Sequence, residues 1–115
     1  MAYKRGDILL VPFPFSDLST AKVRPALVVS SAIYHRTMPD LLLAALTSNI
    51  AASSSSSRSL DYALKAWQGA NLKFPTAFKP VVFTLDPARV VHKIGVIDKL
   101  DLAEIDKRLK AALGP

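Results

Sequence analysis

KVRPALVVS, residues 22–30, is the stretch whose reading decides the fold. After Lys-Val-Arg-Pro comes a near-continuous apolar run that ends on Ser30. Val28 and Val29 are β-branched and suit a pleated, half-buried surface. Pro25 has no donor N–H, which predicts that it opens the strand rather than sitting inside a ladder. It also pushes Arg24 out of the helical region into an extended conformation. Arg24 is thus expected at the mouth of a strand, its planar fork of donors turned to whatever lies beyond the sheet edge. That is a position suited to gripping a phosphate. Taken alone, an arginine is more often a solvated residue closing a turn, so the reading depends on its surroundings.

Upstream, Ile8 to Val11 reads as a short, largely buried strand after the punctuation Arg5-Gly6-Asp7. Pro12 and Pro14 interrupt its ladder and place Phe13 and Phe15 at a strand end or edge. The polar stretch Ser16 to Ala21 is a short loop, so the two strands should be antiparallel neighbours. Downstream, Ser31 to Asp40 reads as a connection. Leu41 to Leu46 is an apolar run bounded by Pro39-Asp40 and Thr47-Ser48-Asn49. It is read as a strand, because so short a helix would hardly hold itself together.

Ser53 to Ser57 is a run of five serines, expected to be a mobile surface loop. Leu60, Ala63, Leu64 and Trp67 then recur at helical spacing, which predicts a helix ended by Asn71 in the left-handed conformation. Phe74 to Ala77 breaks that pattern. Val81 to Phe83 and Val90 to Ile94 read as strands on either side of Asp86-Pro87. The C-terminus carries the clearest helix: Asp98 or Asp101 caps it, Leu102, Ile105, Leu109 and Ala112 or Leu113 line one face, and Gly114-Pro115 stops it. Several short strands with helices imply a mainly β protein, a small barrel with helical trim. No repeat or boundary divides it, so residues 1–115 form a single domain.

Fifteen Lys and Arg against nine Asp and Glu give a net charge of +6, which favours an acidic partner or nucleic acid. Cysteine is absent, which excludes disulfide and thiolate chemistry and suits a reducing compartment. The N-terminal apolar run is broken too early by Pro12 for a signal peptide, and no stretch reaches transmembrane length. A cytoplasmic protein without membrane association is expected.

No metal constellation is visible, because His35 and His92 stand alone without carboxylates at ligand spacing. Each is read as a surface or structural residue. There is no Gly-x-Ser-x-Gly elbow and no glycine-rich phosphate loop. What remains is a polar cluster at strand ends, with Arg24 at one and Thr47 and Ser48 at another. Thr47-Ser48-Asn49 alone would be a turn signal. Joined to Arg24 in a basic chain, it can form a phosphate site in which arginine neutralises charge and a hydroxyl adds a hydrogen bond.

In order along the chain, RGDILLVPFPFSD, KVRPALVVS, LTSN, the Trp67 to Leu72 segment, FTLDPARV and Ile94 to Ile97 resemble the MazF/PemK toxin endoribonucleases of type II toxin–antitoxin systems. The resemblance spans nearly the whole chain. It implies an SH3-like barrel of the MazF/PemK/CcdB type with a C-terminal helix, and a homodimer with an RNA groove across its interface. It further implies sequence-specific cleavage of single-stranded RNA without metal or cofactor, and an acidic antitoxin as partner. Arg24 matches the family's catalytic arginine and Thr47 its active-site threonine, with Ser48 beside it. Phe15 to Lys22 matches the loop that closes over RNA, so Phe15, Asp17 and Lys22 are expected to contact it, with Ser48 and Lys79.

The loop lacks glycine, Asn71 replaces a common glycine, and Thr76 and Lys79 lie near positions where serine and arginine are frequent. Internal attack by the ribose 2′-hydroxyl on the adjacent phosphorus fits both readings. Arg24 would stabilise the developing charge, and Thr47 would orient the phosphate or relay a proton. Asp17 and His35 are the candidates for accepting the 2′-hydroxyl proton. A different class of toxin on the same barrel, resembling CcdB and poisoning DNA gyrase, is the alternative. A basic RNA-binding barrel without activity is a third reading.

Overall fold

A computed structural model describes residues 3–13, 22–48 and 60–114. Its centre is a curled six-stranded sheet. The strands are β1 (Asp7–Pro12), β2 (Val23–Val28), β3 (Leu41–Thr47), β4 (Tyr62–Ala63), β5 (Ala77–Leu85) and β6 (His92–Val96). They lie in the order β4-β5-β3-β2-β1-β6, and every neighbouring pair is antiparallel. A short helix, α1 (Ala32–Thr37), links β2 to β3, and α2 (Lys99–Leu113) closes the described chain.

The continuous apolar runs of β1, β2 and β3 are explained by burial on both faces of the sheet. On one face Ile8, Leu27, Leu46 and Phe78 pack with Ile105 and Leu109 of α2. On the other, inside the curl, Leu9, Val11, Val28, Leu43 and Phe83 form a second cluster. Alternate residues of one strand thus serve two cores, each buried side chain contributing about 1.5–3 kcal/mol. The antiparallel β1–β2 pair, the strand at Leu41 and the C-terminal helix agree with the sequence reading. Asp98 is the cap of α2, accepting from the N–H of Leu100. Gly114, at φ 92°, ends it.

Four expectations are corrected. Pro25 is not the first residue of its strand but the third. The connection after Ser30 contains α1, capped by the Ser31 side chain and stopped at extended Met38, just before Pro39. The strand expected at Val81 begins at Ala77 and includes Pro80, which it tolerates because the β3–β5 register shifts there.

The helix expected from Leu60 to Trp67 is absent: Tyr62–Ala63 is a strand, and turns follow to Asn71. Its backbone donors are taken from elsewhere. The N–H groups of Lys65 and Ala66 go to the Asp101 carboxylate at 3.1 and 2.9 Å, and that of Leu64 goes to the Thr76 carbonyl. The apolar residues still reach the core, but from a strand and turns. Asp101, 2% exposed, is therefore no cap; it also accepts from the Tyr62 hydroxyl at 2.6 Å and clamps this segment to α2.

Candidate functional site

Pro25 determines where the sheet opens. The N–H of Val29 donates to Leu42 of β3, and strand alternation turns the backbone groups of Leu27 and Pro25 to the same edge. Pro25 has no N–H to donate there. Pairing of β2 with β3 accordingly runs from Val28 with Leu43 to Ala26 with Ala45. Continued towards the strand ends, that register sets Pro25 opposite Leu46 and Arg24 opposite Thr47. A proline thus parts the two strands where the arginine and threonine face each other.

A cleft of about 550 Å³ lies at this opening, lined by Arg24, Pro25, Leu46, Thr47 and Ser48. Its remaining wall comes from Asn71 to Phe74 and from the start of β6, where His92 and Lys93 join it. The Arg24 guanidinium carbon is 5.8 Å from the centre of the Phe13 ring, and Phe13 meets Phe83 edge-on at 5.5 Å. The guanidinium lies over an aromatic ring, and among the described residues no carboxylate pairs with it. Lys93 Nζ is 3.1 Å from Asp7 Oδ1, yet off the line of a hydrogen bond. It neutralises that buried oxygen rather than satisfying it.

The far wall depends on a close backbone approach. A Cβ on Gly95 would stand 2.2 Å from the Ala70 carbonyl oxygen, so only glycine lets the 65–71 turns dock on β6. Asn71 takes the left-handed conformation expected of it, at φ 67°, and its side-chain amide donates to the Ile94 carbonyl at 2.9 Å. The chain emerges from this anchor as Leu72, Lys73 and Phe74 along the cleft. Phe74 is 65% exposed. Phosphate oxygens suit the guanidinium, hydroxyls and Lys73, while a flat apolar group suits Phe74.

Of the residues singled out in the sequence, Arg24, Thr47 and Ser48 come together. Lys22 is exposed just before β2 and is not among the residues lining the cleft; its carbonyl accepts from the N–H of Phe13 at the end of the β1–β2 pair. Phe15 and Asp17 lie outside the described residues, as does the serine run. Lys79 is elsewhere, on β5, paired with Asp61 at 3.0 Å. His35 is also elsewhere: its ring nitrogen bonds the buried Ser30 hydroxyl, and it does not line the cleft. His92, read from sequence as an isolated residue, does line it. The available signal was its parity with Ile94 on one strand, which puts both on the face of Leu10.

The sequence matches the PemK-like, MazF-like toxins of type II toxin–antitoxin systems over residues 4–113. No curated protein matches it significantly. Among solved structures it is similar to an endoribonuclease in complex with its cognate antitoxin from a mycobacterial species. That match has 18% identity over 98% of this chain and 96% of that one, at a TM-score of 0.74. It is also similar to MazF from Deinococcus radiodurans, at 21% identity over 100% and 99% of the two chains, with a TM-score of 0.71. A MazE–MazF structure from the same organism gives 21% identity, 99% and 97% coverage, and 0.70. The near-complete span of the sequence match shows the family: the chain belongs to the PemK-like, MazF-like toxins of type II toxin–antitoxin systems.

Proposed function

We propose that this toxin is a cytoplasmic endoribonuclease that cuts single-stranded RNA through attack of a ribose 2′-hydroxyl on the adjacent phosphorus. The observation that carries the reading is the meeting of Arg24, Thr47 and Ser48 at one cleft. A guanidinium fork matches two phosphoryl oxygens, and it gains most as charge builds on them in the transition state. The Thr47 hydroxyl orients the same group. The substrate supplies its own nucleophile, held beside its phosphorus, so alignment and charge stabilisation are the protein's task. Phe74, exposed among cations, offers a face on which an unpaired base stacks. A gyrase poison on the same barrel would leave the pairing of Arg24 with Thr47 without a task.

The basic chain acts as a homodimer and is restrained by a small acidic antitoxin. The mycobacterial and Deinococcus structures named above hold such toxins with antitoxins, and the net charge of +6 attracts an acidic segment that can fold over the cleft. Apolar side chains left open at Val81, Val82 and Val96 suit burial against a second copy.

The decisive experiment compares unaltered protein with Arg24→Ala on a single-stranded RNA, with circular dichroism on the same preparations. Loss of the arginine is expected to slow cleavage ~100–1000-fold while the spectrum stays unchanged. Replacing the ribose immediately 5′ to the scissile phosphate with deoxyribose is expected to stop cleavage and spare binding, since phosphate contacts supply much of the affinity. A folded Arg24→Ala protein cutting at the normal rate would remove the arginine from the site.

A further inference from the structure

Cleavage by the 2′-hydroxyl leaves a demand that Arg24 and Thr47 do not meet. The departing 5′-oxygen is a poor leaving group until it takes a proton. Arginine stays protonated in proteins, and an alcohol is too weak an acid near neutral pH. Lys73 and Lys93 also line the cleft, but an ammonium ordinarily holds its proton to about pH 10, and Lys93 is committed to Asp7. Imidazole is the side chain that gives and takes a proton most readily near neutrality.

His92 is the one histidine of the chain placed at the cleft. It is the first residue of β6, pairs with Leu10 of β1, and Leu10 in turn pairs with Pro25 of β2. His92, Leu10 and Pro25 therefore form one row on one face. Two strand spacings of 4.7–4.9 Å put the His92 and Pro25 backbones roughly 10 Å apart. Arg24, next in the chain, alternates to the other face, where its guanidinium meets Phe13. It lines the same cleft as His92 at the strand end, so a phosphodiester bound in that cleft meets the two from different sides. Among the described residues the His92 ring has no hydrogen-bond partner, whereas His35 is occupied by Ser30. An exposed ring that lines the cleft and has no hydrogen-bond partner among the described residues is available to substrate.

Resting on the cleavage reading above, we infer that His92 is a further catalytic residue, the proton donor to the leaving oxygen. The 2′-oxygen forms its bond to phosphorus and gives its proton to solvent. The bond from phosphorus to the 5′-oxygen breaks, and that oxygen takes the proton of the His92 imidazolium. The products are a 2′,3′-cyclic phosphate and a 5′-hydroxyl. Neutral imidazole regains one proton from solvent, so no net proton, electron or co-reactant is consumed.

The test uses an RNA oligonucleotide carrying the mapped cleavage site and a second one with sulfur replacing the bridging 5′-oxygen at that site. A thiolate leaves without protonation. His92→Gln and His92→Ala are compared with the unaltered protein on each. On the oxygen oligonucleotide, a slowing of ~100–10,000-fold is expected; on the sulfur one, the variants should match the unaltered protein. Binding of the oligonucleotide with deoxyribose at the attacking position should be unchanged. Equal slowing on both substrates would overturn the proposal, because it would mean binding, positioning or proton removal at the 2′-oxygen instead. No slowing on either would overturn it as well. If the unaltered protein cuts neither oligonucleotide, the cleavage reading itself fails.

Discussion

Arg5 and Arg24 show how differently one side chain is used at two regions of this molecule. Near α2, Arg5 donates to the Val29 carbonyl at 2.6 Å and pairs with Asp106. Beside it Asp101 accepts three hydrogen bonds, and Arg108 lies 4.6 Å over the Tyr62 ring while also pairing with Glu104. There these charges have structural partners, and Arg108 and Lys107 hold Glu104 below the usual carboxylate range, the Arg108 hydrogen bond foremost. At the cleft the balance is reversed. Among the described residues, Arg24 and Lys73 have no carboxylate partner, and the ring at Arg24 is aromatic rather than anionic. Cations without anions are poised for an anion from outside. The same residue type therefore reads as scaffold in one place and as binding machinery in the other.

Removing Asp101 tests this contrast most severely. Asp101→Ala leaves the Tyr62 hydroxyl and two backbone N–H groups without their acceptor, the first in a buried setting and the other two in part-buried ones. We expect a loss of about 3 kcal/mol in stability, read from urea unfolding. Cleavage by the still-folded protein should stay within a few-fold of normal, because Arg24 and Thr47 are carried by β2 and β3, whereas the Asp101 hydrogen bonds go to Tyr62, Lys65 and Ala66. A rate as low as that of Arg24→Ala would erase the distinction between the two regions.

Phe74 sharpens the comparison from the cleft side. Its side chain is mostly exposed, so its removal costs the fold little. Stacking of one base is worth ~1–3 kcal/mol, which makes a weakening of roughly tenfold the expected result for Phe74→Ala on single-stranded RNA. Phe74→Trp should restore binding and Phe74→Leu should not, because the ring face is what matters. Equal affinity for the alanine and tryptophan variants would mean that the ring holds no base.

These two regions also differ in how legible they were. β1, β2 and β3 are apolar runs with prolines at their edges, and α2 has a cap, a stripe and a stop, all local signals. Arg24 and Thr47 could be placed at strand ends for the same reason. The helix read over Leu60 to Trp67 failed because its donors bind Asp101, some 35 positions away. Spacing of apolar side chains says nothing about who takes the backbone. His92 was missed for a related reason. Its place in a row with Leu10 and Pro25, at the cleft that Arg24 also lines, follows from the β6–β1–β2 register, which no short window of sequence contains. The approach of the 65–71 turns to Gly95 was equally invisible, since the glycine is needed only for Ala70.

The smallest expected effect concerns Tyr62 and depends on pH. Burial first, then the hydrogen bond to Asp101, pushes its phenol well above the ordinary value of 10. Folding thus favours the protonated phenol. Below pH 10 both folded and unfolded chains keep that proton, and the stabilisation is fully present. Above pH 10 the unfolded chain releases it while the folded one retains it, so stability falls as pH rises. Tyr62→Phe removes both the hydrogen bond and the titration. At pH 7 the variant should be less stable by about 1 kcal/mol, the net worth of one such bond. At pH 11 the gap should narrow, because only the unaltered protein carries the alkaline penalty. Urea midpoints of the two proteins at both pH values measure the difference, and the other titrating groups cancel in it. A gap that stays constant or widens would show that Tyr62 is not held in its neutral form by the Asp101 clamp.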